Sequence, residues 1–305
     1  MLKDTDEFKD STAKEFMPYG VGFITFWLDR QGPELLLSIL RGEGDSSISH
    51  RPPAAVWFSF GDYRPYLKLI REHGAPGTRI IVQVQTVDEA LAAQQDKVDV
   101  VVLQGTEAGG HGSQKAGPLI NFIPEAKAAL QNTLVSNPDA GLGMPALLAA
   151  GGISTAAQFK AAQALGADGV VIGTGFMPTF ESPGPQRAKE RLLQTSDGGL
   201  NTVKTRIFDE LREFCWPEGF DGRVVRNVVT DREDEDHQRD HWRHEGEAAF
   251  KVLREDRTGT KQDWIKATAE QDYNILPLWS GTGVGLLKKQ TSVAEFMDQL
   301  LDERA

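Results

Sequence analysis

Val98-Asp-Val-Val-Val-Leu-Gln-Gly-Thr-Glu-Ala-Gly-Gly-His-Gly112 decides the fold. The run from Val98 to Leu103 has the valine-rich character of a strand buried on both faces, the habit of parallel sheets covered by helices. It ends on an amide, Gln104, and opens into glycines. Glycine at a strand end lets a ligand approach the backbone closely and leaves N–H groups for an anion. The layout recurs in Ala146-Leu-Leu-Ala-Ala-Gly-Gly-Ile153, and again in Gly169-Val-Val-Ile-Gly-Thr-Gly-Phe176.

Working outward, strand-like runs alternate with helical ones as far as about residue 180. The strands read as Tyr19–Phe26, Ala54–Phe60, Arg79–Gln85, Val98–Gln104, Ala146–Ala150 and Gly169–Gly173, and residues 1–17 read as a surface helix. Between the strands lie the helical patterns Tyr63–His73, Val87–Gln95 and Thr155–Leu165. This is a βαβ arrangement, with ligands expected at the C-terminal strand ends. Six units are visible, so either the sheet is open or two N-terminal units of an eight-stranded barrel are absent. Residues 1–180 are assigned to this α/β portion. Residues 181–305 read as a helical subdomain with a closing segment: Arg187–Leu193, Asn201–Leu211, Asp234–Leu253 and Gln262–Tyr273 as helices without intervening strands, then Ser292–Glu303. Gly281-Thr-Gly-Val-Gly285 reads as a loop folded near the site, because no βαβ unit surrounds it.

Composition narrows the class. The chain has 305 residues, 40% hydrophobic and 25% charged, enough for a sizeable core. A net charge of −11 argues against nucleic acid as a partner. One cysteine, Cys215, excludes an internal disulfide and a thiolate cluster. No apolar run is long enough to span a bilayer, and the acidic N-terminus lacks a signal-peptide pattern, so the cytoplasm is expected. A homo-oligomer is left open.

Ser154 and Thr155 follow Gly151-Gly152 and open a helix, where a hydroxyl often just caps the first turn. The double glycine adds free N–H groups at a positive helix end, and Gly173-Thr174 supplies the other half of a phosphate clamp. His111 stands between glycines where neither packing nor helix formation accounts for it, and imidazole titrates in the range a general base needs. Gln104 offers both a donor and an acceptor to a ring edge, or bonds its neighbours. Gln83 and Gln85 share a strand face, Gln85 nearer the ligand end. His237 and His241, with His244 nearby, sit at helical spacing amid a run of acidic and basic residues; a solvated ion-pair helix accounts for them better than a metal site, and no metal is expected. Trp216, Trp242, Trp264 and Trp279 read as core of the helical layer, with a pocket-lining role open to any of them.

Gln104-Gly-Thr-Glu-Ala-Gly-Gly-His-Gly-Ser113 resembles the QGxEAGGHxG signature of the nitronate monooxygenases, formerly called 2-nitropropane dioxygenases. Ala149–Ile153 and Gly166–Phe176 are similar to that family's AAGGI and GAxGVQxGTRF segments; Gly20–Phe23, Val82–Thr86 and Arg223–Asn227 also fit. The resemblance implies a TIM-type (β/α)₈ barrel with a helical subdomain and non-covalent FMN. It also implies oxidation of alkyl nitronates by O2 to a carbonyl compound and nitrite. It places flavin contacts at Gln104, Gly109, Gly151, Gly152, Val171, Ile172, Gly173 and Thr174, and the catalytic histidine at His111. Two positions depart from the pattern: Gly175 stands for the arginine of GTRF, and Val171 for a glutamine. The first strand and second βα unit of the family have no counterpart, which makes an incomplete barrel the expectation. Two other readings stand beside this one: an FMN-dependent enoyl reductase, and a truncated, catalytically silent family member.

Overall fold

The computed structural model describes residues 17–42, 52–231 and 257–302. Apart from Met17, the expected N-terminal helix lies outside them. So do the expected helix Asp234–Leu253, the histidines His237, His241 and His244, and Trp242.

Six strands form a sheet in the order β1-β2-β3-β4-β6-β7. They are β1 (Met17–Ile24), β2 (Pro53–Ser59), β3 (Arg79–Val84), β4 (Val100–Gln104), β6 (Ala146–Ala150) and β7 (Gly169–Val171). The pairs β1–β2, β2–β3 and β3–β4 are parallel, with Val82 opposite Val101. Sequential order with helices between strands is the βα repeat of the barrel-type α/β fold. Val101, Val102 and Leu103 are fully buried, as a strand covered on both faces requires. A second sheet joins β5 (Gly110–Ser113), β9 (Phe220–Val225) and β8 (Thr202–Thr205) in the antiparallel order β5-β9-β8.

The contacts divide the chain into two compact units. One runs to Leu103 and adds Phe122–Leu148 and Gly166–Asp168. Its local chemistry is orderly. Thr86 caps the helix Val87–Gln95, and Glu89 returns the bond to the Thr86 N–H, a capping box that satisfies two helix-end donors. Asp168 accepts from the Leu147 N–H at 2.8 Å and returns its own N–H to the Leu147 carbonyl. Phe58 stacks on Tyr66, whose hydroxyl donates to Asp29 at 2.6 Å.

Burial and that hydrogen bond push the Tyr66 phenol up to about 12. The folded chain therefore holds this proton more tightly than the unfolded one. The resulting stability is complete below the ordinary tyrosine value near 10 and is lost as pH rises through about 12. Urea midpoints should accordingly fall between those two values in the wild type and fall less in Tyr66→Phe. Equal slopes would contradict it.

The other unit holds Gln104–Asn121, Ala149–Leu165 and the residues from Gly169 onward. Here the expectation of helices without strands is corrected. Asn201–Leu211 is not one helix: a short helix, Gly198–Asn201, gives way to β8 and then to the helix Ile207–Leu211. Thr202-Val203 supplies β-branched residues, and pairing with β9 supplies the ladder, so the sheet wins over helical spacing. The glycine-rich Gly110–Ser113, weak as a strand by itself, becomes one because β9 offers it a partner. Phe208 and Val224, both fully buried, centre the core of this region, with Trp264 and Trp279 packed against them.

Candidate active site

The residues around His111 and the glycine turns all belong to the second unit. The loop leaving β4 is drawn in tightly. The Gly105 N–H donates to the Ala150 carbonyl at 2.9 Å, and a Cβ at Gly105 would stand 2.6 Å from Leu119 Cγ and displace the Glu107 carboxylate. Glu107 accepts from the Leu119 N–H at 3.0 Å, and Arg223 donates twice to the Thr106 carbonyl, at 3.1 and 2.9 Å. Removal from water pulls the Arg223 guanidinium below its usual range.

That loop delivers His111 to β5, opposite Gly222 of β9. Its Nε2 lies 2.8 Å from Asp209 Oδ2, on the helix Ile207–Leu211; the two side chains are 11% and 2% exposed. Trp216 stacks on the imidazole with ring centres 3.7 Å apart and planes within 5°, and Trp279 lies at 4.8 Å. Gly222 makes this possible, because a Cβ there would meet the Trp279 ring at 2.1 Å. Gln104 donates to the His111 carbonyl at 3.0 Å, fixing the backbone that carries the ring. The outcome is one imidazole oriented by a buried carboxylate inside an aromatic slot.

The glycine turns meet the same loop. A Cβ on Gly151 would stand 3.0 Å from the Ala108 N, and one on Gly109 2.4 Å from the Gly281 N. The Gly281 N–H donates to Thr174 Oγ1, and the Thr282 N–H to the Glu107 carbonyl, each at 3.0 Å. Gly281–Gly285, expected as a loop near the site, is there as the short 3₁₀ helix Thr282–Leu286 and its N-cap Gly281. It ties together the strand ends that follow β4, β6 and β7.

The glycine turns have the backbone a phosphate-bearing group would need. Gly151 and Gly152 have φ of +136° and +66°, a backbone that side chains resist, and a Cβ at Gly173 would meet nothing within 4 Å. Beside them a cavity of about 350 Å³ is lined by Ser154, Thr155 and Gly175 together with Lys288 and Lys289. Two lysines beside a helix start fit an anion, although Lys289 pairs with Glu295 and Lys288 donates to the Gly285 carbonyl. One expected donor is otherwise engaged: the Ser154 N–H goes to Gln158, whose amide also donates to the Gly152 carbonyl. Thr155 Oγ1 accepts from the Gln158 N–H and so caps the helix. Gly152 faces Thr282 Oγ1, and Val171 and Ile172 close β7 just ahead of Gly173. At Gly175 a Cβ would stand 2.4 Å from the Phe296 ring, so phenylalanine fills the place where the sequence pattern has an arginine side chain.

Gln83 and Gln85 lie in the first unit: Gln83 accepts from Ser59 at 3.4 Å, and Gln85 is buried. Asp209, Lys288 and Lys289 carried no motif in the sequence. Trp216 and Trp279 flank the imidazole, the pocket-lining role left open for them, and Trp279 packs against the core as well. Among the described residues, no group of histidine, cysteine and acidic side chains is arranged to hold a metal. No described helix is long and apolar enough to cross a membrane.

The fold is shared with solved enzymes. FabK from Thermotoga maritima superposes with a TM-score of 0.66 at 22% identity, over 96% of this chain and 77% of that one. The nitroalkane oxidase of Streptomyces ansochromogenes gives 0.60 at 21% identity, covering 94% and 80%. The family model for nitronate monooxygenase matches residues 45–303. This chain belongs to the nitronate monooxygenase family. It is 30% identical to nitronate monooxygenase npaC of Metarhizium robertsii over 99% of this chain and 77% of that relative. It is 32% identical to the Neurospora crassa nitronate monooxygenase over 84% of its own length, and the match spans 64% of that relative.

Proposed function

We propose that this chain acts as an FMN-dependent nitronate monooxygenase, converting alkyl nitronates and O2 to a carbonyl compound and nitrite. The observation that carries the reading is the His111–Asp209 pair, held between two tryptophans at the end of the β4 loop. Family membership gives that pair its chemical setting.

Gly151, Gly152, Gly173 and Thr174 would hold the cofactor phosphate, with Lys288 and Lys289 supplying positive charge nearby. Gln104, Gly109, Val171 and Ile172 would line the remainder of its site. Bound FMN supplies the electron chemistry that amino-acid side chains lack. The chain's own part is to bind, orient and move a proton. His111 takes the proton α to the nitro group of a neutral nitroalkane and leaves the nitronate. Asp209 steadies the imidazolium that forms, and Trp216 and Trp279 exclude water from the ring faces.

The test uses purified protein supplemented with FMN. Expected are flavin absorbance that stays with the protein on gel filtration, and nitrite release with oxygen uptake from an alkyl nitronate. Anaerobic flavin reduction by NADH, without nitrite from nitronates, would favour an enoyl reductase. Failure to retain FMN would favour a silent member. Either result overturns the reading.

A further inference from the structure

From the geometry we infer that Asp209 is a positioning residue which fixes the tautomer of His111, so that Nδ1 is the nitrogen that accepts the substrate proton. This deepens the proposed function and rests on its reading of His111 as a base.

The two ring nitrogens have different surroundings. Nε2 faces the carboxylate at 2.8 Å. A carboxylate accepts only, so the neutral ring must carry its hydrogen on Nε2. Nδ1 then bears the lone pair, and among the described residues it has no hydrogen-bond partner. It is also absent from the fully enclosed, unpartnered polar atoms, which leaves it open to a small molecule. Asp209 is itself held: Arg212 approaches its other oxygen at 3.4 Å while donating to the Phe208 carbonyl at 3.0 Å. The Nε2–Asp209 contact selects the edge the imidazole offers, and the Trp216 stack holds the plane of the ring.

Other charges nearby are engaged elsewhere. Lys204 pairs with Asp221 at 2.9 Å, and Arg223 donates to Thr106 and Thr202. Glu107 accepts from the Leu119 N–H. Asp209 is therefore the carboxylate that faces the ring. In the step itself the substrate C–H bond breaks and its electron pair stays as the nitronate. The proton passes to Nδ1, and the imidazolium keeps Nε2–H on Asp209.

The test is ¹⁵N NMR of histidine-labelled protein, with the His111 signals assigned by their loss in His111→Asn. Above the imidazole's titration, wild-type protein should show a protonated, pyrrole-type Nε2 and an unprotonated, pyridine-type Nδ1. The opposite pattern overturns the inference, and this arm needs neither variant nor substrate. In Asp209→Asn, shown folded by near-UV circular dichroism, the two types should move toward a mixture. The ratio of kcat with a neutral nitroalkane to kcat with its preformed nitronate should fall about a hundredfold. An unmoved ¹⁵N pattern, or an unchanged ratio, contradicts the assignment. If wild-type protein turns over neither substrate yet shows the Nε2–H pattern, the proposed function fails while the tautomer assignment stands.

Discussion

His111→Asn should lower turnover of neutral nitroalkanes, relative to turnover of the corresponding preformed nitronates, by about 10²–10⁴-fold. The ratio isolates proton removal, because a nitronate has already lost its proton. Asparagine is close in size and keeps a polar edge toward Asp209, so the slot between Trp216 and Trp279 is not emptied. It cannot, however, take a proton near neutral pH. FMN retention should survive, since the groups proposed to hold the phosphate belong to the turns at Gly151–Gly152 and Gly173–Thr174, away from His111 in sequence. Steady-state assays with the two substrate forms decide the matter. An unchanged ratio would remove His111 from proton transfer.

The second large effect is expected at Gly222. This glycine lies opposite His111 in the β5–β9 ladder, and a methyl group there would stand 2.1 Å from the Trp279 ring. Backbone and a buried indole share that space, so neither yields cheaply. Trp279 also meets Phe208 edge-on at 6.3 Å and belongs to the core around it. Overpacking of this kind costs about 1–3 kcal/mol. Gly222→Ala should therefore unfold at lower urea and shift tryptophan emission as the indole is displaced. Gly112→Ala serves as the control, since a Cβ there meets Gln104 only at 3.7 Å, an ordinary contact. If both variants match wild type, the slot is looser than its geometry states.

These predictions rest on features the sequence disclosed unequally. The strands of the six-stranded sheet were legible because near-continuous valine, isoleucine and leucine ending in glycine leave few alternatives. Ala146–Ala150 was placed residue for residue, as was the helix Val87–Gln95. Motif glycines at 109, 151 and 152 were likewise legible, because close backbone approach demands them. What stayed hidden depends on pairing between distant segments. Gly110–Ser113 has no strand character until Phe220–Arg223 lies beside it, and Thr202–Thr205 reads as helix until β9 is in place. Asp209 is 98 residues from the histidine it orients, in a short amphipathic stretch whose acidic residues look like surface. Trp216 and Trp279 carried the same ambiguity, since an indole that lines a site and one that fills a core look alike in sequence.

A crystal structure of the protein with FMN bound tests the central claim most directly. The account predicts the phosphate against Gly151–Gly152 and Gly173–Thr174, within reach of Lys288 or Lys289, and the isoalloxazine ring beside His111 with Nδ1 facing the substrate space. A flavin bound away from those turns, or a His111 ring turned so that Nδ1 meets Asp209, would contradict it.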